Sequence, residues 1–424
     1  MTQAVKVDVL IDLDRHNAVG GHVNSWLQFA RVAMGLPSGQ LSLTLHFLGE
    51  GVREEHPGPN VRYVYHPPRF STRRLPFLRD VPSDTDLAPH NPRLLPYFEA
   101  TDILHVTHPL FTFGATAQRY CRRSRKPLVC SLHTDAPLYA QLYLEEKIQR
   151  SLGGGWLSSL CLHTLKLPDR YRSRLDHQQQ RYWQGCQHVW VGQPAEMDLL
   201  GQLLPPQQVS YLRRGLDAEI FHPHWADRSF LAHHYQLPQD CFWVLFVGRL
   251  DACKQVMTFA QAVKILQDQG VPIHGIAVGK GSAQAEIEAL LGPGISCLGT
   301  LPQEKLNTIY ASCDLFVFPS ETEIMGNVVI EARASGLPVL ISDQGGSQQH
   351  LQASEKLDQV IAGQDPRDWA SRIQHLYENP LKRQQMGQLA LEYIQRTWPT
   401  WETVFREDLL PVWQAIALPP SSPL

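Results

Sequence analysis

Short apolar runs alternate with amphipathic helical segments in two successive series, and this alternation limits the chain's folds more than any other feature. The first series begins at residues 6–13 (KVDVLIDL), an almost continuous apolar run suited to a strand buried on both faces. Gly20-Gly21 then opens a helical pattern to Met34, and further strands are predicted at 41–48, 61–65, 103–106, 127–132 and 188–191. The second series starts at 242–247 (FWVLFV) and continues with strands at 273–278, 315–318 and 338–341, separated by helical segments. Alternation of this kind predicts α/β architecture with two doubly wound parallel sheets. A length of 424 residues accommodates two such domains. The turn-rich connection after Arg213-Arg214-Gly215 marks the hinge. The predicted division is 1–217 and 218–396, with the amphipathic tail 397–424 packing back on the first domain.

Composition narrows the function classes. Hydrophobic residues make up 43% and charged residues 19%, which excludes a disordered or fibrous chain. The net charge of −3 argues against a dedicated nucleic-acid binder. Its halves differ in sign, with 24 Lys+Arg against 19 Asp+Glu in 1–217 and 14 against 22 in 218–424. Eight cysteines without a Cys-x-x-Cys pair, and no secretory leader before the first apolar run, predict a reducing, cytoplasmic setting. Two Asp-x-Asp tripeptides, at 12–14 and 84–86, could in principle hold a divalent ion, but chance accounts for such matches and no metal site is expected.

The chemistry concentrates in the second series. Gly248-Arg249-Leu250 and Lys254 follow a buried strand, and an arginine fork beside a lysine suits a diphosphate. Downstream, Glu323 and Glu331 flank Gly326 at a strand-to-helix turn. Free N–H groups there attract an anion, and a carboxylate one turn into the helix can accept from ribose hydroxyls.

These residues, with Val278-Gly279-Lys280-Gly281, Leu298-Gly299-Thr300-Leu301 and Ala334-Ser335-Gly336-Leu337-Pro338-Val339, resemble the family 4 retaining glycosyltransferases of the GT-B fold. Ser131-Leu132-His133-Thr134-Asp135 and the segment around Glu323 are nearest to the bacterial and plastid mannosyl- and glycolipid-transferase subgroup. The resemblance implies two Rossmann-like domains facing across a cleft. It implies a nucleotide-sugar donor, GDP-mannose or a UDP-hexose, as co-substrate, with neither cofactor nor metal. Arg249 and Lys254 would hold the diphosphate, Glu331 the ribose, and Glu323 and His133 the donor sugar. Gly20, Gly21, Leu301, Met325, Gly326, Asn327 and Val328 would complete the donor site. The acceptor would be a glycan or lipid bound by the first domain. Basic residues interleaved with apolar ones at 69–79 and 119–126 suggest peripheral contact with an anionic membrane. A catalytically silent sugar-nucleotide-binding subunit, or a phosphorylase or epimerase relative, is the alternative.

Overall fold

The computed structural model describes residues 4–15, 21–37, 39–74, 85–153 and 155–417. The chain forms two compact units, Met1–Arg213 with Trp401–Leu424, and Arg214–Thr400. The division falls a few residues from the expected 217 and 396, for a structural reason. Leu216 N donates to Pro399 O at 3.1 Å, and Leu216 bridges to Thr400, so both crossing strands of chain are knotted into the second unit. Leu216 belongs to that unit's core, with Trp398 packed against it.

Among the described residues, the first unit has an eight-stranded sheet. Its strands are β1 (Val5–Asp14), β2 (Leu41–Leu48), β3 (Arg53–Gly58), β4 (Val61–His66), β5 (Ile103–Val106), β6 (Leu128–Ser131), β7 (His188–Val191) and β8 (Val209–Tyr211). Their order is β3-β4-β2-β1-β5-β6-β7-β8, parallel except for the β3–β4 pair. The sequence reading missed β3, whose REEHPG has no apolar alternation and an internal proline; such residues are tolerated only at an edge. The central strands are buried along their length, as parallel strands covered on both faces must be.

The second unit has a six-stranded parallel sheet: β9 (Phe242–Val247), β10 (Ile273–Val278), β11 (Ile295–Cys297), β12 (Leu315–Phe318), β13 (Val339–Ser342) and β14 (Val360–Ile361). The order is β11-β10-β9-β12-β13-β14. Both units are Rossmann-like, and the C-terminal tail does pack into the first of them. Val404, Phe405, Leu409 and Trp413 have no exposed surface and join the core built by β1, β2 and the helix Gly21–Met34. Arg213 fixes the tail's start, donating from its backbone N to Asp408 at 3.0 Å and from its guanidinium to Asp408 and Glu407 at 2.6 Å. Among the described residues no helix is long and apolar enough to cross a membrane.

Because Trp413 fills the core that the tail completes, Trp413→Ala should cost the first unit about 3–5 kcal/mol. Denaturant unfolding followed by circular dichroism measures this, and a cost below about 1 kcal/mol would show that the tail is only a surface attachment.

Candidate functional site

In a doubly wound sheet the C-terminal strand ends are where loops can converge on a ligand. In the second unit they are drawn together by backbone contacts. Gly248 N donates to Val278 O at 2.9 Å, Leu250 N to Lys280 O at 3.1 Å, and Gly279 N to Gly299 O at 2.8 Å. Side chains would prevent this. A Cβ on Gly279 would sit 1.8 Å from Gly248 O, and one on Gly281 would sit 2.2 Å from Leu250 O. Gly279 and Gly281 are therefore required by the close approach of these loops to each other.

The same turn presents the two cations. Asp251 accepts from Lys254 N at 3.2 Å, capping the short 252–254 turn, and its carboxylate lies 3.3 Å from Arg249 Nε. Sequence reasoning missed Asp251, which orients the arginine and the lysine together; its position between them was the available signal. Lys254 Nζ is ion-paired with Glu323 Oε1. Thr322 Oγ1 donates to Cys253 O at 3.0 Å, tying the 322–323 segment to the 252–254 turn. Residues 69 positions apart in sequence thus meet at the carboxyl edge of the sheet, above the neighbouring central strands β9 and β12.

The turn between β12 and the helix Asn327–Ala334 passes through Gly326 at φ 58°, a left-handed conformation that favours glycine. A Cβ there would also come within 2.5 Å of Ser347 Oγ. Met325 is buried, its carbonyl bonded to His350 Nε2 and its sulfur 3.3 Å from Gln349 Nε2. Its side chain and its carbonyl are thus engaged within the protein. Asn327 and Val328 start the helix, whose first-turn amides make an anion-attracting end. Arg333 on that helix is fully buried and makes a two-pronged pair with Glu355 at 3.0 Å per bond, fixing the helix in place. Leu301 is half-buried against the core.

Glu331, one turn in, accepts from Tyr310 OH at 3.1 Å and Gln303 Nε2 at 3.3 Å. Enclosure of the carboxyl pushes its pKa up to about 7, against the lowering effect of those two hydrogen bonds. Neither partner was anticipated. Around this edge, Ser320 Oγ, Asn327 Oδ1 and Ser347 Oγ are buried without a hydrogen-bond partner among the described residues. Buried polar atoms of this sort are costly unless a ligand or water satisfies them.

The remaining expected residues lie in the first unit. Gly20 falls outside the described residues; Gly21 is the exposed first residue of its helix. His133 sits just past β6, stacked on His22 with ring centroids 4.5 Å apart. Its Nε2 accepts from Trp26 Nε1 at 3.1 Å and lies 2.8 Å from Ser131 Oγ. Ser131 Oγ is in turn 2.8 Å from His105 Nε2, and Trp413 Nε1 donates to His105 Nδ1 at 3.2 Å. An indole N–H can only donate, so the chain has one direction. His105 Nδ1 accepts, its Nε2–H donates to Ser131, the serine hydroxyl donates to His133 Nε2, and His133 carries its proton on Nδ1. Burial pushes the His105 pKa down to about 3, keeping that ring neutral.

Both Asp-x-Asp tripeptides contain a structural aspartate. Asp12 is fully buried, accepts from Phe113 N at 3.1 and 3.2 Å, and is pushed well above the usual carboxylate range by burial. Asp86 accepts from the backbone of Arg69, Phe70 and Ala88 at 2.9–3.0 Å. The basic segments are only partly a surface cluster. Lys126 Nζ donates to Phe98 O, Glu99 O and Thr101 O at 2.6–2.7 Å, closing the end of the helix Leu95–Ala100. Leu75, Phe77, Leu78 and Arg79 lie outside the described residues.

The chain is similar to known proteins in sequence and in fold. Residues 241–379, the bulk of the second unit, match the model of the family described as glycosyl transferases group 1. The sulfoquinovosyl transferase SQD2 of Arabidopsis thaliana is 26% identical over 398 residues, covering 92% of this chain and 70% of its own. A D-inositol 3-phosphate glycosyltransferase of a Nocardioides species is 30% identical over 224 residues, or 48% of each chain, so the match spans about half of that relative. Anabaena Alr3699/HepE, solved with UDP and glucose, superposes with a TM-score of 0.64 at 16% identity, covering 96% of this chain and 99% of its own. At that identity the likeness concerns the fold, which is GT-B.

Proposed function

We propose that the chain is a retaining glycosyltransferase that moves a hexosyl group from a nucleotide-diphosphate sugar to a lipid-linked or glycan acceptor. The observation that carries this reading is the convergence of Arg249, Lys254, Glu323 and the Gly326 helix start at the carboxyl edge of the sheet. Two cations and helix amides suit a diphosphate, and the adjoining carboxylate suits a sugar's hydroxyls. The relatives named for sugar transfer, and the UDP complex of HepE, support a nucleotide sugar as donor.

In the proposed mechanism Arg249 and Lys254 meet the charge that grows on the diphosphate as the glycosidic bond breaks. Asp251 keeps both in place before the donor arrives, so little reorganisation is needed at the transition state. Glu323 is exchanged from Lys254 to the sugar's hydroxyls, and the Lys254 ammonium turns to the phosphate. The acceptor attacks the face from which the diphosphate departs, and a phosphate oxygen takes its proton. No protein nucleophile is assigned. His133, as its Nδ1–H tautomer, donates to a sugar oxygen. Charge neutralisation by Arg249 and Lys254 takes the place of a divalent ion.

The test is a panel of UDP- and GDP-sugars, scored by donor hydrolysis and thermal shift in EDTA. One donor should be turned over, and Lys254→Ala should cut its rate at least 100-fold, about 3 kcal/mol. Binding without turnover would favour the silent-subunit alternative; equal binding and turnover by the variant would refute the site.

Glu331 adds a pH signature. Its raised pKa means the fold favours the uncharged carboxyl. That contribution is fully present below pH ~4.5 and is lost as pH rises through about 7. Glu331→Gln should therefore stabilise the unliganded protein at pH 8 by on the order of 1–3 kcal/mol. Ribose hydroxyls prefer the carboxylate, so nucleotide affinity should strengthen from pH 6 to pH 8 in the natural chain and stay flat in the variant. Calorimetric titration at both pH values checks this.

The His133 tautomer is separately testable. Trp26 Nε1–H and the Ser131 hydroxyl both donate to His133 Nε2, so Ser131→Ala combined with Trp26→Phe removes both donors. Long-range proton–nitrogen NMR should then show His133 losing its pure Nδ1–H form, whereas Ser131→Ala alone should keep it. An unchanged tautomer in the double variant would show that these two donors do not set it.

A further inference from the structure

The first unit carries a helical projection that the donor site does not use. The helix Ala136–Leu152 turns at Gly153 (φ 63°) into the helix Trp156–Ser159 and a wide turn at Leu160–Thr164. After Lys166 (φ 47°) the chain continues as the helix Leu167–Trp183. Gln141 joins the two long helices, donating to Asp169 at 2.9 Å and accepting from Arg172 at 3.1 Å. Along the first of them only Pro137 is buried, so it stands off the body of the unit. Its far end is apolar and open to solvent: Trp156 is 74% exposed, Leu157 44% and Leu152 41%. Cations surround this tip. Residues 147–174 hold six Lys and Arg against one Asp, and Arg150, Lys166, Arg170 and Arg174 are exposed.

We infer that this tip docks on an anionic bilayer surface, with Trp156 and its leucine neighbours entering the headgroup boundary and the basic residues facing lipid phosphates. Tryptophan favours that boundary because it is apolar in body and polar at one edge. Each nearby cation adds to the attraction of an anionic surface. The shape favours a bilayer over a protein partner. A stable protein interface buries about 800 Å² per side, more than the exposed parts of Leu152, Trp156 and Leu157 supply even with Leu165 and Leu167, each 38% exposed, beside them. In a membrane the same side chains and charges act additively. The surface expected from sequence, at 119–126, is weaker: Lys126 is committed to three carbonyls, and the segment itself exposes no large apolar side chain. The inference rests on the proposed lipid-linked acceptor for its purpose only, since vesicle binding and donor hydrolysis are scored separately.

The test is flotation of the full chain with vesicles of phosphatidylcholine alone or with 30% phosphatidylglycerol, at about 50 mM salt. Binding is expected only to the anionic vesicles. The double variant Trp156→Ala, Leu157→Ala should weaken it at least tenfold, with unchanged melting temperature and donor hydrolysis. Arg122→Gln with Arg123→Gln should change it less than twofold. Trp156→Phe should retain binding but lose the fluorescence quenching that brominated lipids cause in the natural chain. The inference is overturned if the chain ignores anionic vesicles, or if the tip variant binds them as well as the natural chain. It is also overturned if that variant instead abolishes a concentration-dependent self-association in lipid-free buffer.

Discussion

The turn after β9 lies against the turn after β10 so closely that Gly279 has no room for a side chain beside Gly248 O. Much in the second unit depends on that contact. With the two loops joined, Arg249 and Lys254 are presented from a rigid edge, and Asp251 can serve both. A larger residue at 279 or 281 would separate the loops and misplace both cations. Angstrom-scale displacement of a positioning group is enough to cost orders of magnitude in rate. The glycines act here through packing, and their effect on a bound anion is indirect.

The other wall is held by different physics. The helix Asn327–Ala334 is anchored from behind by the buried Arg333–Glu355 pair, and its entry turn by Gly326 and the 346–350 turn. Breaking one partner of a buried ion pair leaves an uncompensated charge, so this anchor resists drift. The ion pair between Lys254 and Glu323 then links the two walls. In the proposed function, a donor inserting its diphosphate and sugar between these groups would replace one satisfied pairing with two others, and the Lys254–Glu323 pair leaves neither charge bare beforehand.

The strands with strong apolar runs, such as 242–247 and 315–318, were legible from pattern alone, because burial on both faces leaves no other composition. The edge strand β3 was not, since the edge relaxes the requirement for apolar residues, and β14 was not because two apolar residues make no pattern. The cations and glutamates were legible because their spacing matched a recurring motif. Tyr310 and Gln303 were not, because they reach Glu331 from a neighbouring helix and no local pattern announces a hydrogen bond across 21 or 28 positions. The chain from Trp413 to His133 was hidden for the same reason. Charge counting pointed to surfaces at 69–79 and 119–126, the first partly outside the described residues, while the exposed tryptophan at 156 became visible only once burial was known.

The proposed function stands on the strand-end loops of the second unit holding a nucleotide diphosphate. Hydrogen–deuterium exchange with and without a saturating nucleoside diphosphate tests this. Exchange should slow in peptides covering 248–255, 279–283, 324–332 and Ser347, with little change in β2 or β4. Protection confined to other segments, or none at concentrations where calorimetry shows binding, would contradict it.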